Sequence, residues 1–79
     1  MNDIPLTWDV SEYSIMVEVG EFVHVKKSNW GRNVGWIGAE IRVYGRQLGA
    51  QRARQVISEL ERAIEVARRL DANPDWRGD

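Results

Sequence analysis

The chain has 79 residues, 43% hydrophobic and 29% charged, with a net charge of −1 and no cysteine. That length allows one domain near the small end of what folds alone. The missing cysteines exclude a disulfide framework and thiolate metal sites. No apolar run approaches the roughly 18 residues of a membrane helix, and the N-terminus, MNDIPLTWDVSEY, has early acids and no basic-then-apolar order. The expectation is a cytoplasmic protein with no membrane partner.

The charge is segregated. Residues 1–25 carry five acids and no Lys or Arg, whereas residues 26–54 carry seven basic residues against Glu40 alone. An anionic partner would be drawn to that middle third, although the near-neutral total argues against a strong general nucleic-acid binder.

In chain order, residues 1–12 read as an N-terminal arm, in which LTWDV (6–10) is a weak edge-strand candidate behind Pro5. YSIMVEV (13–19) alternates, with Tyr13, Ile15, Val17 and Val19 on one face. FVHVKK (22–27) follows Gly20-Glu21. A two-residue turn and a three-residue loop give this hairpin opposite registers, because a one-residue slip inverts a strand's faces. WIGAEIRVY (36–44) reads as a third strand, with Ile37, Ala39, Ile41 and Val43 inward and Trp36, Glu40, Arg42 and Tyr44 outward.

From Ala50 to about Asp71, apolar residues recur at Ala53, Val56, Ile57, Leu60, Ala63, Ile64, Ala67 and Leu70. That three-and-four spacing predicts one amphipathic helix, ended by Asn73-Pro74. Its acids are expected on the solvated side. The fold expected is α+β: a three-stranded antiparallel meander packed on one C-terminal helix over residues 13–71, with a flexible tail at 72–79.

The sequence argues against catalysis. His24 is the only histidine, no G-x-S-x-G frames any serine, and GRNVG and GRQLG lack the Lys-Ser/Thr ending of a phosphate loop. No cofactor and no metal are implied. The terminal Arg-Gly-Asp reads as a charged tail end.

Two binding surfaces are suggested instead. One helix covers one face of a sheet, so the other face would expose Trp36, Arg42 and Tyr44, with Trp30 in the adjoining loop. Aromatic residues and Arg are enriched at interface hot spots. The reading is a protein–protein interaction module that self-associates, a homo-oligomer, with a host protein as a further partner. The alternative is a nucleic-acid or phosphate binder using Lys26, Lys27, Arg32, Arg46, Arg52 and Arg54. Arg52 and Arg54 stand in the first turns of the helix, where its dipole favours negative charge.

With its element order and the segment LGAQRARQVISELERAIEVARRLD, the chain resembles the small strand-strand-strand-helix proteins of actinobacteria and their phages. That resemblance implies an accessory or host-interaction role and transfers no site residues. A second resemblance, to the double-stranded RNA-binding domain, rests on three strands and a closing helix with basic residues at its start. The chain departs from that domain in lacking its first helix and the Lys-Lys-x-Ala-Lys-type run.

Overall fold

The computed structural model describes residues 5–45 and 47–78. They form β1 (Thr7–Val10), β2 (Ser14–Glu18), β3 (Val23–Ser28), β4 (Glu40–Val43) and α1 (Ala50–Ala72). The strands make one antiparallel sheet in the order β1-β2-β3-β4, so the α+β class holds with four strands instead of three. The extra strand is TWDV (7–10), within the LTWDV segment. It belongs to the sheet and is no loose arm: Trp8 pairs with Val17 and Val10 with Ile15. Among the described residues no helix is long and apolar enough to cross a membrane.

The β2–β3 hairpin, the first hairpin of the sequence reading, adopts the three-residue loop. Val19 N–H donates to Val23 O at 3.2 Å, and Val17 faces Val25. Ile15, Val17, Val19, Val23 and Val25 therefore share one fully buried face with Val56, Ala63, Val66, Ala67 and Leu70 of α1. Alternation in β2 and β3 and the helical stripe in α1 meet there, as the hydrophobic pattern requires.

The helix sits rotated from the stripe read in the sequence. Ile57 is 56% exposed and Ile64 50% exposed, while Glu59 is buried. The rotation follows from what Glu59 does. Its Oε1 accepts Phe22 N–H at 2.7 Å and Val23 N–H at 3.1 Å, and Gln55 Nε2 donates to its Oε2 at 2.8 Å. Beside it, Arg62 donates to Val19 O at 2.9 Å. Backbone groups at the end of the hairpin are thus satisfied from the helix, because leaving them buried and unpaired is costly.

β4 is shorter than expected because its lead-in is bulged. Lys26 pairs with Glu40, and Asn29 pairs with Trp36 through an isolated bridge. Lys27 and Ser28 are therefore spanned by Ile37, Gly38 and Ala39. One extra residue inverts the alternation, so Trp36 turns to the helix side and packs on the core. A buried Lys27 holds the bulge. Its Nζ donates to Ile37 O at 2.7 Å and to Asp71 Oδ1 at 2.5 Å, and Asp71 Oδ1 also accepts Ala39 N–H at 3.0 Å.

The tail folds back. Trp76 meets Trp8 edge-to-face with ring centroids 5.7 Å apart, and Arg77 lies over the Trp8 ring at 5.4 Å. These contacts cover the flank of β1, on the side of the sheet that carries Val17.

Candidate functional site

The residues picked from the sequence as an aromatic interface are not brought together. Trp36 faces the helix side, whereas Arg42 and Tyr44 lie on the opposite face with His24 and Lys26. Trp30 is 69% exposed at the turn that follows β3, where the Gly31 (φ 98°) and Gly35 (φ 72°) backbones take left-handed conformations that favour glycine. Phe22 sits at the end of the first hairpin, packed against the core under Arg52, whose guanidinium is 5.9 Å from the ring centroid. The outer sheet face is consequently mostly polar: Thr7, Asp9, Glu18, Lys26, Glu40 and Arg42 surround Met16 and Tyr44.

The basic residues are dispersed as well. Lys26 and Lys27 alternate across the sheet, and Lys27 is buried in its ion pair with Asp71. Arg32 lines an open cleft with Glu12, Tyr13 and Asn29, at the end of β3 away from Phe22 and Arg52. Arg54 is exposed on α1. Arg46 lies outside the described residues. Gly49 caps α1 without a side-chain hydrogen bond, and the first turn holds no acid.

A different set of exposed apolar residues lies along the flank of β4. Ile41 and Val43 continue the core face of the sheet, opposite Val25 and Val23, yet they are 36% and 48% exposed. Beside them run Ile57 and Ile64. Asp71, Ile64 and Ile57 are spaced by seven along α1, which keeps them on one side of the helix. Asp71 reaches the Ala39 amide just ahead of β4, so this side faces β4, while Glu59 and Arg62 face the first hairpin. The result is an apolar strip of four branched side chains along one open sheet edge. Sequence reasoning assigned all four to the core; their spacing was readable, but their being surplus to one helix–sheet contact was not.

The electrostatics around the strip are structural. Burial is the largest influence on Glu59 and would raise its pKa, but hydrogen bonds from Phe22, Gln55, Glu21 and Val23 outweigh it and hold the carboxyl below its usual value. Asp71 is likewise lowered: burial opposes, and Lys27 and the Ala39 amide prevail. On the outer face His24 is buried, with Tyr44 stacked on it at 4.8 Å and Nδ1 without a hydrogen-bond partner among the described residues. Burial lowers its pKa, Arg42 and Lys26 lower it further, and Glu18 opposes them.

Among the described residues there is no group of three or more His, Cys, Asp or Glu side chains able to hold a metal ion. No family model matches the chain, and neither a curated protein nor a solved structure is significantly similar to it.

Proposed function

We propose that this chain is a non-catalytic protein–protein interaction module that associates with a second copy of itself through the β4 flank. The observation that carries this reading is the strip formed by Ile41, Val43, Ile57 and Ile64, each at least 36% exposed beside an open strand edge. Contiguous apolar surface and unpaired edge strands are features that soluble monomers usually suppress. The opposite edge, at β1, is flanked by Trp8, Trp76 and Arg77, so the two ends of the sheet are treated differently.

Relative to the sequence reading, the proposed surface moves from the outer face to the edge. Arg42 keeps a place in it, because it shares β4 with Ile41 and Val43. Sedimentation velocity on Ile57→Glu and Ile64→Glu tests the surface. Both positions are exposed, so the variants should fold as the parent does and sediment as monomers where the parent is dimeric. Unchanged self-association would refute the assignment.

A further inference from the structure

The backbone of β4 specifies how a second copy would dock, an inference that rests on the reading of the β4 flank as a self-association surface. Tyr44 N–H donates to Phe22 O at 2.7 Å, and the β3–β4 register pairs His24 with Arg42 and Lys26 with Glu40. Because hydrogen-bonded pairs alternate along an antiparallel ladder, the N–H and C=O groups of Glu40 and Arg42 face β3. Those of Ile41 and Val43 face outward. The Ala39 N–H is already held by Asp71.

We infer that two copies pair β4 to β4, antiparallel, about a two-fold axis through Ile41, forming one continuous eight-stranded sheet. In this register Ile41 exchanges both backbone hydrogen bonds with Ile41 of the second copy. Val43 N–H meets Ala39 O of the second copy, twice by symmetry. On the outer face Glu40 falls opposite Arg42 of the second copy, so the Glu40–Arg42 pair seen within one chain at 3.1 Å becomes a ring of four alternating charges. The register centred on Arg42 would let Ile41 and Val43 of the two copies exchange the same outward backbone groups, but it sets Arg42 directly against Arg42 of the second copy and Glu40 against Tyr44. The one centred on Val43 sets Arg42 against Tyr44 and Ile41 against Gly45. Like charges directly opposite are unfavourable and unlike charges favourable, which selects the axis through Ile41.

The helices fit the same axis. α1 packs over β3 and β4. With strands about 4.8 Å apart, a helix midway between β3 and β4 lies about 5 Å from the dyad. Two such helices stand about 10 Å apart, at the upper end of the 8–10 Å spacing of packed helices. They run antiparallel on the same side of the sheet, and their Ile57 and Ile64 rows face each other above the Ile41 and Val43 side chains. The apolar strip is thereby covered.

Charge exchange tests the register. Glu40→Arg alone and Arg42→Glu alone each place like charges across the axis and should weaken self-association by about tenfold or more. Mixed in equal amounts, the two variants should restore a heterodimer, because each Arg then faces a Glu. The chain has no cysteine, so Ile41→Cys provides a second readout that a fold-weakened charge variant cannot obscure. It should oxidise to a covalent dimer, since residues facing across a hydrogen-bonded pair have Cα atoms about 5.5 Å apart, within disulfide range. A parent that dimerises, is disrupted by Ile57→Glu, but neither crosslinks at residue 41 nor shows recovery on mixing would overturn the register while leaving the surface intact. A strictly monomeric parent would overturn both.

Discussion

The Glu59 carboxylate occupies the space where a side chain on residue 20 would begin: a Cβ on Gly20 would lie 2.2 Å from Glu59 Cδ and 2.5 Å from Cγ. Glu59 is ordinarily a flexible side chain, but here it is fixed by bonds from Phe22, Val23 and Gln55. Helix and hairpin are locked by this contact, and only glycine leaves room for it. Gly20→Ala is expected to destabilise the fold by about 1–3 kcal/mol, the usual range for overpacking a buried site. Glu59→Ala should cost a similar amount by orphaning the hairpin amides. The double variant should cost clearly less than the sum, because the two residues are in contact. Urea denaturation of the four proteins measures this.

Lys27 and Asp71 form the second lock. Asp71→Ala removes the partner of a buried ammonium and an acceptor for Ala39 N–H, although Ile37 O still accepts from Lys27. The Asp71 side chain is 47% exposed, so water can partly replace it, and the expected loss is about 1–3 kcal/mol. Lys27→Met in that background should recover part of the loss, since breaking a buried pair hurts more than replacing both partners. A double variant less stable than Asp71→Ala would contradict the assignment.

How far the sequence could be read follows from these two locks. The helix bounds, its stop at Asn73-Pro74 and the alternation of β2 and β3 are local patterns, and they appear in the fold with small shifts in their ends. The orientation of Trp36 was not local. It depends on one extra residue among Ile37, Gly38 and Ala39, held by Lys27 and Asp71, which are 44 positions apart in the chain. The sequence pattern puts Glu59 on the solvated side of the helix and Lys27 among the anion-binding candidates. Their actual partners are backbone atoms of distant segments and, for Lys27, an acid 44 positions away, and such partners leave no mark in a local pattern. Burying Glu59 turned Ile57 and Ile64 outward, and that turn created the candidate surface.

Acid should weaken the fold in two stages. His24, Glu59 and Asp71 all have folded-state pKa values below their ordinary ones. In each case the unfolded chain binds the proton more readily, so each contributes stability above its unfolded pKa that is lost as pH falls through its folded one. His24 acts first, below its ordinary value of 6.5. The carboxylates follow below 4.5 for Glu59 and 3.8 for Asp71. Urea midpoints measured from neutral to acid pH should show both limbs, and His24→Phe should abolish the upper one alone. A His24→Phe profile that keeps the upper limb would assign it to another group.

The tail contributes stability through Trp76. It is half-buried, packs against the core and meets Trp8 at 5.7 Å. Full truncation of a buried Trp costs about 3–5 kcal/mol, and partial burial scales this to about 1–2. Trp76→Ala should therefore lower the midpoint measurably. An unchanged midpoint would mean the tail is not docked in solution.

Whether the β4 flank is a self-association surface is decided by sedimentation velocity across a concentration series. The parent chain should show a monomer–dimer equilibrium that shifts to monomer in Ile57→Glu. A parent chain that remains monomeric at every concentration would contradict the assignment of that surface.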